Sequence, residues 1–126
     1  YARDMDRTKL SPEAQDRLEF AEAMTNEDYQ GLLRKRQQIR DIYKGLKADA
    51  DVCVTLSAPG PAPVGHNWTG DAVFAVPSSI LGTPSFSLPV LQCDGLPLGL
   101  QIMGYAEQDA AAFAAARAVL DLFKEN

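Results

Sequence analysis

The first half of the chain repeats apolar residues with the period of an α-helix. The triplet Ser-Pro-Glu at 11–13 predicts a helix start, because the hydroxyl can cap free amides while proline and an acid suit the first turn. This helix should end near Met24, and Thr25 with Asp28 predicts the cap of a second helix. The apolar positions of that long amphipathic helix are Tyr29, Leu32, Leu33, Ile39, Ile42, Tyr43 and Leu46.

The second half has short apolar runs separated by glycine and proline. Such runs favour strands, and Asp94-Gly95 is typical of the tight turn of a hairpin. We expect a strand over 51–56, an ordered loop over 57–70, a short helix or turn over 71–81, strands over 85–90 and 98–104, and a helix over 109–123. The last helix should place one face on the sheet, formed by Phe113, Ala116, Leu120 and Phe123.

The overall composition fits a globular protein. With 126 residues, 46% of them hydrophobic and 23% charged, we predict a single domain or fragment over 1–126, with a helical part over 11–48 and the strands, loops and terminal helix over 51–126. The net charge of -5 opposes binding to nucleic-acid phosphates. The sequence lacks both a run of about 18 apolar residues and the apolar stretch of a signal peptide, so we expect a cytoplasmic protein.

Charge is distributed unevenly along the chain. Residues 1–51 contain ten basic and eleven acidic side chains, whereas 52–126 contain two and six. The segment 52–106 has no Lys or Arg, and its acids are Asp71 and Asp94. A buried sheet with Gly- and Pro-rich loops is one explanation. The stronger one is that this segment packs against protein outside the chain, because small domains keep large apolar patches away from water.

Residue chemistry alone supplies no active site. His66 is the single histidine, and in a loop a structural hydrogen bond is a more frequent role for it than catalysis. The pair Ser78-Ser79 lacks a base, since no lysine lies within 48–123. Cys53 and Cys93 lack metal-ligand spacing and are expected to be reduced and buried. We therefore predict no catalytic residue, no metal site and no cofactor.

Several motifs, in a consistent order, resemble segments of amidase-signature proteins. The run GLPLGLQIMG at 95–104 resembles that family's G-L-P-[VL]-G-[LV]-Q-[LI]-[IVM]-G segment. Residues 78–89, SSILGTPSFSLP, resemble its N-x-x-G-x-P-x-x-S-x-P segment, with Ser79 in place of the usual asparagine. Residues 51–63 are similar to its D-x-x-x-x-P-x-x-P-x-A-P strand and loop, and Tyr29 and Arg36 are similar to its Y-x-x-A-x-x-x-R helix.

This resemblance implies an α/β fold, namely a carboxy-terminal fragment of the amidase-signature fold with a few-stranded mixed sheet packed by long helices. It also implies that the whole protein hydrolyses carboxylic amide C–N bonds through a Ser-cis-Ser-Lys triad. Neither a GGSSGG-like segment nor the matching lysine occurs here, so the chain should be inactive alone. Its expected partner is the rest of the parent amidase, with a second copy of the chain as a further partner. Nucleic acid and membrane are not expected partners.

The resemblance also points to substrate-binding residues. Glutamine-using members hold the substrate's ammonium group with an acid whose place lies one residue from Asp71. The implied substrate-binding residues are Asp71, Trp68 and Thr69. The structural alternatives are a helix cap for Asp71 and packing for Trp68. Gln101 is expected to form structural hydrogen bonds, because an amide on a buried strand needs partners.

Two other functions are compatible with the sequence. One is a non-catalytic binding or self-association module, since the chain contains no triad. The other is part of a glutamine-dependent amidotransferase subunit, since that class shares the motifs. The coding sequence upstream of Tyr1 distinguishes the binding module from an enzyme, because a lysine followed by a GGSSGG-like segment would support an enzyme.

Overall fold

A computed structural model describes residues 5–124, and its elements follow the predicted order. The helices are α1 (Pro12–Ala23), α2 (Asn26–Gly45), α3 (Val76–Leu81) and α4 (Asp109–Leu122), with short 3₁₀ turns at Arg7–Lys9 and Leu46–Ala48. The strands are β1 (Cys53–Leu56), β2 (Ser85–Cys93) and β3 (Leu96–Met103). The chain divides into two compact units between Gln37 and Gln38, inside α2. The predicted arrangement as one domain or fragment stays a prediction.

The caps predicted for the first two helices are present. The Ser11 hydroxyl accepts a hydrogen bond from the Ala14 amide at 3.3 Å, and Pro12 occupies the first turn of α1. At the start of α2, the Asp28 amide donates to the Thr25 hydroxyl and the Thr25 amide donates to the Asp28 carboxylate, each at 3.1 Å. These bonds form a reciprocal capping box, and the Thr25 side chain lowers the pKa of Asp28.

The three strands form one antiparallel sheet in the order β1-β3-β2. β2 and β3 are joined by the predicted turn, in which Asp94 (φ 53°) and Gly95 (φ 76°) both have positive φ, as a two-residue hairpin turn requires. The α/β class with few strands is confirmed. A mixed sheet was expected, but the described strands pair only in antiparallel fashion. The hairpin makes β3 run opposite to β2, and β1 pairs with the other edge of β3, also in the opposite direction.

α4 covers β2 and β3 through its alanines. Ala112 and Ala116 are buried, and Ala116 packs with Leu88 and Ile102 in the core. Of the four residues expected on the packed face, Ala116 is buried and Leu120 packs against the core, as predicted. Phe113 packs on the ring of Phe86, 4.3 Å away between centroids, but remains 62% exposed. Phe123, at the end of α4, is exposed, so the expectation is wrong for this residue.

Gly104 explains why small side chains face the sheet at the start of α4. A Cβ atom on Gly104 would lie 2.5 Å from the Ala112 Cβ and 3.1 Å from the Pro84 Cγ. Real Cβ atoms do not approach so closely, so the glycine permits helix and strand to meet. The close packing expected from the alanine-rich sequence is therefore present.

The core is small relative to the apolar surface. Among the described residues, seven hydrophobic side chains are buried and eighteen large ones are exposed. Val54 illustrates the imbalance, because it lies opposite the fully buried Ile102 on the same face of the sheet yet is 51% exposed. α4 packs on β2 and β3 and leaves β1 uncovered on this face. Apolar side chains of α2 are exposed as well, among them Leu32, Ile39 and Ile42.

Two tyrosines connect the end of β3 to the segment before β1. The Tyr43 hydroxyl lies 3.2 Å from the Gly104 carbonyl oxygen, to which it donates, and the Tyr105 hydroxyl donates to the Ala50 carbonyl at 2.9 Å. Their ring centroids are 5.2 Å apart. Burial disfavours the phenolate form and raises the pKa of Tyr43 from its usual 10.0 to about 12.

Replacing Gly104 by alanine should destabilise the unit of residues 38–124. The added methyl group would collide with Ala112 and Pro84, so we expect the free energy of unfolding to fall by about 1–3 kcal/mol. Gly45→Ala is the matched control, because no atom lies within 4 Å of the place that its added Cβ would occupy, and alanine suits a helix end. Urea titrations should separate the variants, and equal stabilities would contradict the packing described.

Tyr43 should make the folded state sensitive to alkali. An unfolded tyrosine loses its proton near pH 10, whereas the folded Tyr43 keeps it up to about pH 12, so stability should fall as pH rises through this window. Tyr43→Phe should flatten that decline and lower stability at neutral pH by about 1 kcal/mol through the lost hydrogen bond. Tyr29→Phe, which removes an exposed hydroxyl, is the control. Identical pH slopes for Tyr43→Phe and the unsubstituted protein would refute the prediction.

Candidate functional site

The predicted substrate-binding residues lie together on one pocket within residues 38–124. Trp68, Thr69 and Asp71 line a cavity of about 310 Å³. Its other walls are the segment 58–63, which follows β1, and the segment 97–99 of β3. The strand β3 thus supplies one wall of the cavity, and the loop after β1 supplies the rest.

The loop that builds the pocket is ordered by proline and glycine. Pro59, Pro61 and Pro63 fix φ along one wall, so this segment needs no regular secondary structure to hold its course. Gly70 turns the chain back with φ at 100°, a conformation that other residues adopt with strain. The predicted long loop without regular secondary structure is present over 57–70, and its order stays a prediction.

Asp71 uses one carboxylate oxygen for local structure. Its Oδ1 accepts a hydrogen bond from the Val73 amide at 2.9 Å, at the start of the turn that leads into α3. The side chain is exposed, and Oδ2 has no hydrogen-bond partner among the residues that the structure describes. The capping role and a role toward a ligand thus involve different oxygen atoms.

Trp68 presents its indole to solvent at the pocket. The residue is 62% exposed, far more than a side chain that fills a core. Most of the ring is therefore accessible to a ligand, whereas a purely packing role would have buried it. An indole face of this kind can contact an apolar group or a cation.

Gln101 on β3 bonds to both ends of the loop that builds the pocket, residues 57–73, which we call the pocket loop. Gln101 is 5% exposed, and its hydrogen-bonding surroundings assign the amide orientation, with the oxygen accepting from the Ser85 hydroxyl at 2.6 Å. Nε2 then donates to the carbonyl oxygens of Phe74 at 2.9 Å and Leu56 at 3.2 Å. The opposite orientation would place an acceptor against two carbonyls. The structural hydrogen-bonding role expected for Gln101 is confirmed.

A pair of serines that sequence reasoning missed lies beside the same strand. The Ser57 and Ser87 hydroxyl oxygens are 2.7 Å apart, above Gly99. A Cβ on Gly99 would lie 2.2 Å from the Ser87 hydroxyl and 2.5 Å from that of Ser57, so the glycine makes room for their bond. The sequence does show polar residues two positions apart, Ser85 and Ser87 on one strand, which predicts that they share a face of the sheet. Only the strand register shows that they lie near Gln101 on the neighbouring strand.

The other polar candidates are dispersed. His66 is exposed, and it does not line the pocket. Ser78 and Ser79 direct their hydroxyls to the Ala75 carbonyl within their own helix. In the described part of the chain, no three His, Cys, Asp or Glu side chains converge as metal ligands, and Cys53 and Cys93 are free and half-buried. Within residues 5–124 no helix combines the length and the apolar character needed to cross a bilayer.

Known proteins resemble this chain in fold and in sequence. A crystal structure of an amidase superposes with a TM-score of 0.72 and 26% identity, over 87% of this chain and 28% of that one. The A subunit of glutamyl-tRNA(Gln) amidotransferase from Clostridium botulinum (strain Eklund 17B / Type B) is 37% identical over 90 residues, which is 64% of this chain and 18% of that protein. The protein of the same name from Exiguobacterium sibiricum is 31% identical over 109 residues, 76% of this chain and 22% of that protein.

These similarities concern one part of larger proteins. The chain spans about a fifth of the length of the curated relatives that it matches, toward their carboxy-terminal ends. No protein-family model matches it. The relatives and the amidase structure nevertheless agree with the ordered motifs of the sequence, and the chain belongs to the amidase-signature family.

Proposed function

We propose that this chain acts as the carboxy-terminal part of a hydrolase that cleaves carboxylic amide C–N bonds. The observation that carries the proposal is the pocket, which gathers Trp68, Thr69 and Asp71 against the strand that bears the GLPLGLQIMG motif. Family resemblance implies that the serine nucleophile and its proton relay belong to the remainder of the parent protein. This chain would complete the sheet and one wall of the substrate site.

The proposed wall can bind and orient an amide substrate. The unpartnered Oδ2 of Asp71 can accept hydrogen bonds from an ammonium group, and the Trp68 ring can lie against the substrate's aliphatic part or its cation. Pro59 and Pro97 add rigid apolar surface to the same cavity. Holding the substrate in this way would set its amide carbon relative to a nucleophile supplied from outside the chain.

Exposed apolar surface supports the remainder of the parent as the partner. Residues 52–106 include no Lys or Arg, and large hydrophobic residues of this segment are exposed, including Val54, Val73 and Val76. Surfaces of this kind are normally covered by protein. We propose that the parent protein covers them, in the cytoplasm.

Part of a glutamine-dependent amidotransferase subunit is the second candidate. The relatives named as the A subunit of glutamyl-tRNA(Gln) amidotransferase favour it. Under this alternative, the pocket would hold glutamine through its ammonium group, and the ammonia released would pass to a second substrate. The two candidates differ in whether Asp71 discriminates amides that carry an ammonium group from those that do not.

Amide hydrolysis should require residues outside this chain. We expect the 126-residue chain alone to release no ammonia from butyramide or L-glutamine, because no nucleophile, base and oxyanion site come together in it. The same chain preceded by its upstream coding sequence should release ammonia from at least one of them. A coupled assay for ammonia measures both. Sustained turnover by the chain alone, abolished by a serine substitution, would overturn the prediction, as would a longer protein without activity.

Asp71→Asn should weaken the use of ammonium-bearing amides in that longer protein. Asparagine keeps an oxygen for the Val73 amide but loses the charge, so the local turn should survive. We expect KM for L-glutamine to rise tenfold or more, since a hydrogen bond to a charged group contributes roughly 1.5–3 kcal/mol. KM for butyramide should change little.

Asp94→Asn is the matched control for this substitution. It makes the same chemical change in the hairpin turn, where asparagine tolerates the positive φ. An equal rise in KM for both amides after Asp71→Asn would mean that Asp71 acts on the shape of the pocket and not on the ammonium group.

A further inference from the structure

We infer that Gln101 is a positioning residue for the pocket, because its single carboxamide fastens both ends of the pocket loop. The loop of residues 57–73 leaves the sheet after Leu56 and ends before Phe74. Nε2 of Gln101 donates to the carbonyl oxygens of these two flanking residues, at 3.2 and 2.9 Å. The two ends of the loop are therefore linked by the Gln101 side chain, which belongs to a different segment, β3.

The position of Gln101 on β3 connects the loop to the fixed wall of the pocket. Gln101 follows Gly99 by two residues, and both lie on the same face of the strand. Segment 97–99 lines the cavity, whereas Gln101 itself does not. The amide thus acts on a ligand site only through the loop that it holds.

Burial strengthens the hydrogen bonds of this amide. Gln101 is the buried polar residue among those that the structure describes, so each of its hydrogen bonds is shielded from water. The Ser85 hydroxyl, 2.6 Å from the amide oxygen, fixes which way the amide group faces. Losing the side chain would remove its donor from both carbonyl groups and with it the link between the two ends of the 17-residue loop.

Two other contacts hold only the first end of the loop. The Ser57 hydroxyl bonds to Ser87 above Gly99, and the Ser57 amide donates to the Gly99 carbonyl at 2.8 Å. These bonds cannot replace Gln101 at Phe74, which lies next to the turn that contains Asp71. The positions of Trp68, Thr69 and Asp71 therefore depend on the Gln101 amide.

The relevance to substrate rests on the proposed function, whereas the order of the loop does not. A loop that is already held in place loses less conformational entropy when a ligand binds. A measurement of loop order without any ligand consequently tests the positioning role by itself. The Asp71 kinetics test the substrate proposal separately.

Limited digestion with chymotrypsin tests the role of Gln101 in the intact chain. We expect Gln101→Met to speed cleavage after Trp68 about tenfold relative to cleavage after Phe113, because local opening governs proteolysis of the loop. Phe113 is exposed on α4 and reports general unfolding of the same unit. Gln92→Met makes the same change at an exposed position of β2 and should leave the ratio unchanged. Equal acceleration at Trp68 and Phe113 would overturn the inference.

The unsubstituted protein provides a second measurement, which applies even if Gln101→Met does not fold. Both side-chain amide protons of Gln101 should exchange with solvent at least about tenfold more slowly than those of Gln92 in nuclear magnetic resonance spectra, because both are bonded to carbonyls in a buried site. Exchange of the Gln101 protons as fast as those of Gln92 would show that the amide does not hold the loop.

Discussion

The face of β3 that points away from the core sets how closely the neighbouring segments can approach. Gly99 has no side chain, so Ser57 and Ser87 meet above it. Gln101 carries the amide that receives the ends of the pocket loop. Just beyond the strand, Gly104 allows Ala112 of α4 to come near. A side chain at either glycine would push a neighbouring segment away from the strand, and the motif GLPLGLQIMG thereby acquires a physical meaning.

The parts of the fold that were predictable depend on nearby residues. Ser11 with Pro12, and Thr25 with Asp28, determine helix starts through bonds within a few residues. Asp94-Gly95 determines a hairpin because it accepts positive φ. Features that depend on distant pairing were not predictable, as with the serine pair above Gly99. The distribution of burial along α4 was not predictable for the same reason, since Gly104 brings Ala112 close to the sheet while Phe113 stays exposed.

The candidate site shows the same division. Resemblance singled out Trp68, Thr69 and Asp71, and the fold places all three on one cavity. Sequence could not reveal how their loop is held, because Leu56 and Phe74 contribute backbone carbonyls, which every residue has. Only the strand register and the path of the loop bring these carbonyls to Gln101. The segment 52–106, which has no Lys or Arg and only two acids, was informative for another reason, since composition directly limits which surfaces can face water.

Gln101 and Asp71 divide structural and ligand-binding work according to their burial. A buried amide satisfies its donors and acceptor within the protein and has nothing left to offer a ligand. Asp71 is exposed, lines the cavity and commits one oxygen to the Val73 amide, which leaves its other oxygen for a ligand. Moving the charge to position 101 would set one carboxylate oxygen against the carbonyl oxygens of Leu56 and Phe74, a costly arrangement in a buried site. The neutral group therefore belongs at the base of the loop and the charged group at its rim.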